Sequence, residues 1–176
     1  MSKAVFLDRD GVINNLIVHN DRYTAPWSLN EFKYIDNPKK SIDILKKLNY
    51  KIFIITNQPD VLDGNLKLSE LKLINKKIKS EFDVDNIFCL MRRDSIYYKP
   101  NNNLVEIIID NYSINRDKSY FVGDSWKDIF CGHASKLKTV YIGNEFNPPF
   151  NVDNIQPNFF AKNLNDACKY IKDRTK

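Results

Sequence analysis

The peptide Ala4-Val5-Phe6-Leu7 is wholly apolar and stops at Asp8-Arg9-Asp10-Gly11. A run this short and continuous reads as a strand buried on both faces. Similar runs recur at residues 51–57, 84–90, 119–124 and 138–142. Between them the apolar residues take a helical period. Pro38 opens a helix over 38–49, with Ile42, Leu45 and Leu48 inward and lysines outward. Further helices are expected over 67–82 and 102–112, from Asp124 or Ser125 onward, and over 163–173. Buried strands alternating with helices imply an α/β fold: a mostly parallel sheet with helices on both faces. Residues 12–36 show no sustained period and read as an irregular insertion, with room for a short hairpin. Residues 143–160, with Pro148-Pro149 and Pro157, read as loop.

Open parallel sheets bind ligands beyond the carboxyl ends of their strands, and the chemistry here gathers at those ends. Asp8 and Asp10 are two residues apart, so an extended backbone points both the same way. Two adjacent carboxylates repel unless a cation neutralises them, which suggests a metal site, an acid/base pair, or both. The second strand ends in Thr56-Asn57, whose hydroxyl and amide can donate to a phosphate oxygen. Lys99-Pro100 precedes a helix and can aim an ammonium at an anion. The fourth strand ends in Gly123-Asp124, and Asp128 falls one helical turn later on the same face. A third carboxylate makes a magnesium site plausible, since Mg²⁺ prefers hard oxygen ligands. The insertion at 12–36 would hang over this edge as a lid. His19, inside it, has no partner histidine and reads as a lid residue rather than a metal ligand.

Composition excludes other classes. The chain has 176 residues, enough for one domain with a full core, and is 43% hydrophobic and 28% charged. No apolar run approaches a membrane span, and the first strand begins too early to leave room for a leader. Three widely spaced cysteines, Cys89, Cys131 and Cys168, read as reduced thiols in the cytoplasm. The net charge is +5, but the lysines scatter over the helices. That reads as a solvated surface that favours anionic substrates, not as a nucleic-acid groove.

Taken in order, Asp8-Arg9-Asp10-Gly11, Thr56-Asn57, Lys99-Pro100 and Gly123-Asp124 with Asp128 resemble the four motifs of haloacid dehalogenase (HAD) superfamily phosphatases. The wording of residues 6–14 and of Ile55-Thr56-Asn57-Gln58 is similar to the branch containing D-glycero-D-manno-heptose-1,7-bisphosphate 7-phosphatases and histidinol-phosphate phosphatases. The resemblance implies a three-layer Rossmann-like fold without a large cap. It implies Asp8 as nucleophile, forming an aspartyl-phosphate, and Asp10 as general acid/base. It implies Mg²⁺ held by Asp8, the Asp10 backbone carbonyl and Asp124, with Thr56 and Lys99 on the phosphoryl oxygens and Asp128 behind them. Asn57, Gln58, Tyr98, Ser125 and His19 are the candidate substrate contacts.

The chain departs from that branch in two places. Cys89 and Met91 stand where the first zinc-ligand pair would be, and Ser95 and Tyr97 where the second would be. One thiol does not hold a tetrahedral zinc, so no zinc site is expected. Tyr98 replaces an arginine before Lys99 and cannot make a bidentate phosphate contact. Arg22, Arg92 and Arg93 are candidates to compensate.

The expectation is therefore a monomeric sugar-phosphate phosphatase of surface-glycan biosynthesis. The same chemistry on histidinol phosphate or another small phosphomonoester is the alternative. A phosphoacceptor signalling domain is disfavoured: its acid would end the third strand, where Cys89-Leu90-Met91 stand.

Overall fold

In the computed structural model, residues 1–143, 150 and 155–175 are described. Six strands form one parallel sheet: β1 (Lys3–Leu7), β4 (Tyr50–Asn57), β5 (Asn86–Leu90), β6 (Tyr120–Gly123), β7 (Lys138–Ile142) and β8 (Phe159–Ala161). Their order across the sheet is β5-β4-β1-β6-β7-β8, with β1 near the middle. Among the described residues four α-helices connect them, α1 (Pro38–Lys47), α2 (Leu68–Glu81), α3 (Asn103–Tyr112) and α4 (Trp126–Ala134), and α5 (Leu164–Asp173) follows the last strand.

Alternation along β1 divides the core. Val5 and Leu7 point to one face, where they pack with Ile42 and Leu45 of α1, Ile74 and Ile78 of α2, and Ala167 and Ile171 of α5. Ala4 and Phe6 point to the other, with Val105 and Ile108 of α3 and Cys131 of α4. Residues 4–7 are all fully buried, which is why the strand carries no polar position. Val5, Phe6 and Leu7 each contribute about 1.5–3 kcal/mol of burial.

Local signals set the helix ends. Asn37 caps α1 by accepting from the Lys40 N–H, Pro38 occupies its first turn, and Asn49 takes the left-handed conformation after it. Ser125 and Asp128 form a capping box at the start of α4.

Two sequence expectations change. Residues 159–161 form β8, paired in parallel with β7, rather than loop; the remainder of the expected 144–160 loop lies largely outside the described residues. The third strand begins at Asn86, not Val84. The insertion does hold a hairpin, β2 (Ile17–His19) with β3 (Arg22–Thr24). Its tip residues Asn20 and Asp21 both have positive φ, as a two-residue turn matched to strand twist requires.

The chain runs from β1 outward through β4 to β5, then returns to place β6 on the other side of β1. The reversal opens a crevice beyond the carboxyl ends of β1 and β6. Leu7 pairs with Ile54 on one side and Val122 on the other. That register brings the residues following all three strands to one edge. No described helix is long and apolar enough to cross a membrane.

Candidate active site

At that edge lies a cleft of about 250 Å³, walled by Asp8, Asp10, Thr56, Asn57, Lys99, Asp124 and Ser125. Leu16, Tyr23, Thr24 and Ala25, in and around the hairpin, form the opposite wall, and Asp60 and Lys127 complete it. The Glu31 carboxylate accepts from the Trp27 N–H at 2.7 Å, and Glu70 of α2 accepts from the Leu29 N–H at 2.8 Å. The first bond braces the insertion internally, and the second ties it to the body.

Asp8 Oδ1 accepts from its neighbour's N–H (Arg9) at 2.8 Å and pairs with the Lys99 ammonium at 2.9 Å. Lys99 is buried and its Nζ also donates to Asp128 Oδ1 at 2.6 Å and to the Ile55 carbonyl at 2.8 Å. Asn57 fixes the lysine's backbone in both directions: its amide nitrogen donates to the Lys99 carbonyl, and its oxygen accepts from the Lys99 N–H. The Lys99–Pro100 peptide is cis. One ammonium thus faces several acids. Burial pushes the Asp8 carboxyl up to about 7; Lys99 pulls it down, and Asp128 and Asp10 add to the rise. Asp128 and Asp8 in turn hold the Lys99 ammonium charged despite its burial.

Asp10 is wrapped in donors. Arg9 reaches it with Nε at 3.2 Å and Nη2 at 3.0 and 3.1 Å, and Asn14 at 2.9 Å. Thr56 Oγ1 donates to Asp10 Oδ2 at 3.0 Å, and the Gln58 amide at 2.6 Å.

Two glycines make the acids fit. Gly11 has φ +80, and a Cβ there would overlap the Asp124 carboxylate. A Cβ on Gly123 would overlap the Asp128 side chain. The backbone is therefore cut away where carboxylates must come in close.

Asp8, Asp124 and Asp128 offer oxygens within 4.8 Å of one another, the metal-capable group of His, Cys, Asp and Glu found among the described residues. Both Asp128 oxygens are already engaged, by Lys99 and by the Ser125 N–H. Asp8 and Asp124 line the cleft and Asp128 does not, so those two are the carboxylates placed to meet a cation. An all-oxygen donor set with excess negative charge, and a cradle kept open at Gly11, fits a hard divalent ion.

Several residues expected at the site stand elsewhere. His19 stacks on Trp27 with ring centroids 3.6 Å apart, and its nitrogens meet Thr24 and Glu31, so it braces the hairpin rather than facing the cleft. Gln58 is buried beneath Asp10, and Tyr98 is buried beside the cleft without lining it. Arg92 is bound to Asp94 and Arg93 to Asp63; neither lines the cleft, nor does Arg22. Cys89 accepts a hydrogen bond from Asn75 at 3.1 Å.

Two residues were missed. Arg9 is fully buried against Asp10. Its signal was its place directly after a strand buried on both faces, where a charge requires a partner. Lys127 on the cleft wall carried no signal beyond being one more helix lysine.

The family model for haloacid dehalogenase-like hydrolases matches residues 9–142. The chain belongs to that family. It is a phosphatase of the HAD superfamily. A D-glycero-beta-D-manno-heptose-1,7-bisphosphate 7-phosphatase of Pasteurella multocida is 24% identical, covering 98% of both chains. A D-glycero-alpha-D-manno-heptose-1,7-bisphosphate 7-phosphatase of Campylobacter jejuni is 25% identical with the same coverage. Among solved structures, the D,D-heptose 1,7-bisphosphate phosphatase of B. bronchiseptica, complexed with magnesium and phosphate, superposes with a TM-score of 0.80. It is 18% identical, over 98% of this chain and 99% of that one, and so speaks for the fold alone.

Proposed function

We propose that this chain is a Mg²⁺-dependent phosphomonoesterase that removes the 7-phosphate of D-glycero-D-manno-heptose 1,7-bisphosphate in surface-glycan biosynthesis. The observation that carries the chemistry is the meeting of Asp8, Asp10, Thr56, Lys99 and Asp124, from four separate segments, around one cleft. The full-length likeness to relatives bearing that activity supports the substrate.

Asp8, the Asp10 backbone carbonyl and Asp124 would hold the ion. When bound, it supplies positive charge that lets an anionic phosphate approach a carboxylate. Lys99 fixes Asp8 through Oδ1. The other carboxylate oxygen, Oδ2, forms the bond to phosphorus as the bond to the sugar oxygen breaks. Asp10 delivers a proton to that oxygen, then takes one from the water that cleaves the aspartyl-phosphate. Its donor cage from Arg9, Asn14, Thr56 and Gln58 orients it for both transfers. When substrate binds, the Thr56 hydroxyl turns from Asp10 and the Lys99 ammonium from the Ile55 carbonyl to donate to the phosphoryl oxygens. The whole chain acts as one domain, with the 17–24 hairpin as its lid. Its three free cysteines accord with a monomer in the reducing cytoplasm.

The test is phosphate release with and without Mg²⁺ from both anomers of the heptose bisphosphate, histidinol phosphate, hexose phosphates and a 3′-phosphorylated oligonucleotide. One phosphate per heptose bisphosphate, dependent on Mg²⁺, is the expected result. A preference for another phosphomonoester moves the substrate and keeps the mechanism. No release from any compound by folded protein overturns the proposal.

A further inference from the structure

The amino-terminal edge of the sheet carries a second cleft with the opposite charge. Lys3, Lys118, Lys138 and Arg174 line a cavity of about 110 Å³ against Tyr50 and Tyr120, and among the described residues no carboxylate lines it. It opens on a larger cleft of about 600 Å³ that shares Lys3, Tyr50 and Lys118. The single acid there, Asp85, is already engaged by Lys46 at 2.9 Å and Lys51 at 3.4 Å. Among the described residues, none of the four cations lies within 4.0 Å of a carboxylate.

Aromatic rings hold three of these cations instead. The Lys3 ammonium lies 4.5 Å over the Tyr50 ring and that of Lys138 lies 5.4 Å over Tyr120. The Arg174 guanidinium lies 3.8 Å over Tyr170. Ring faces place a positive charge without neutralising it. Burial and the neighbouring Lys118 push the Lys3 ammonium below its ordinary range, so like charges crowd here as carboxylates crowd at the other edge.

We propose that this cleft binds a small ligand carrying several linked phosphate groups. A phosphate chain brings the multiple negative charges that four cations need, and the adjoining cleft has room for the rest of the molecule. Single-stranded nucleic acid fits less well. Tyr50 and Tyr120 are buried and their faces are covered by ammonium groups, which leaves bases nothing there to stack on. Lys3 begins the strand that Asp8 follows, so five residue steps of about 3.3 Å separate the two edges by roughly 16 Å. The site is independent of the catalytic one.

The experiment is calorimetric titration of tripolyphosphate into the full chain in EDTA, which keeps divalent ions from recruiting phosphate to the acidic edge. One site per chain is expected, weakening as salt rises. Lys118→Gln with Lys138→Gln should weaken it at least tenfold while leaving phosphatase turnover at the parent value. Lys40→Gln with Lys47→Gln, which removes the same charge elsewhere, should leave binding within twofold. Equal weakening in both double variants would reduce the effect to net charge and overturn the site. So would no binding at millimolar tripolyphosphate, or tighter binding of a twelve-nucleotide single strand than of tripolyphosphate.

Discussion

The two ends of this parallel sheet differ in the sign of their charge and in how that charge is held. At the carboxyl edge Asp8, Asp10, Asp124 and Asp128 are buried, and Lys99 and Arg9 are locked among them by short hydrogen bonds. At the amino edge Lys3, Lys138 and Arg174 lie over tyrosine rings, and among the described residues they pair with no acid. Buried charge at the first edge is bound into a network, so removing the ammonium that two acids share leaves both stranded. Charge at the second edge is solvated, so removing one member relieves its neighbours. The same kind of substitution should therefore have opposite consequences at the two ends.

The largest effect belongs to the residue with a chemical role. Asp8→Asn keeps the side chain's shape and removes the attacking oxygen's charge. Turnover should fall by at least about 10⁴-fold, as losing a nucleophile does in other covalent enzymes. Thermal stability in EDTA should hold or rise, because Asp8 is a carboxylate that its surroundings already push toward neutrality. Steady-state rates and circular-dichroism melting check both halves; appreciable residual turnover removes Asp8 from the mechanism.

Lys99→Met comes next. It strips the ammonium that Asp8 and Asp128 share and strands both acids in a buried site. Urea unfolding in EDTA should show a loss of about 3–5 kcal/mol. A loss under 1 kcal/mol would mean that solvent relaxes this edge as easily as the other, and the contrast would fail. Gly11→Ala follows, at about 1–3 kcal/mol, since its φ of +80 and the Asp124 carboxylate both oppose a side chain. Because Asp124 must move to admit the methyl, Mg²⁺ affinity should weaken along with stability, as titration of the ion will show.

How far the sequence discloses this molecule depends on how local each signal is. The parallel sheet was legible because strands such as residues 4–7 and 52–55 are buried on both faces and leave no polar position. Asp8 and Asp124 were legible because each directly follows its strand, and Asp10 and Asp128 because their spacing puts them beside those two. Arg9 and Gln58 were misjudged because their partners lie on the far side of Asp10, and spacing alone gives no direction. His19 was misplaced because its stacking on Trp27 depends on the hairpin's turn, which only three-dimensional packing supplies. The basic edge went unseen because Lys3, Lys118, Lys138 and Arg174 are far apart in sequence. Three of them stand at or just before strand starts. A parallel sheet necessarily collects its strand starts along one edge, so that clue was present.

The smallest effects sharpen the comparison most, because they test the edge where losing the paired acid should cost a little and losing an unpaired cation nothing. Asp85 is the acid of the larger amino-edge cleft. The Ile52 N–H, Lys46 and Lys51 hold its carboxyl below the usual 3.8 despite partial burial. A carboxyl whose folded-state pKa is depressed stabilises the fold above its unfolded value and loses that contribution as pH falls through the folded one. Asp85→Asn should therefore lower stability by about 1 kcal/mol at neutral pH. The gap from the parent should close as pH drops below 3.8, which denaturant titrations across that range will show. Lys118→Ala should do the reverse. It removes a charge that crowds Lys3 and has no acid partner, so stability should stay within about 0.5 kcal/mol of the parent and shift upward at low salt. The shift should vanish in high salt, since only screened repulsion is relieved. A loss above 1 kcal/mol would show that this lysine is bound into the fold as Lys99 is, and the two edges would then differ only in sign.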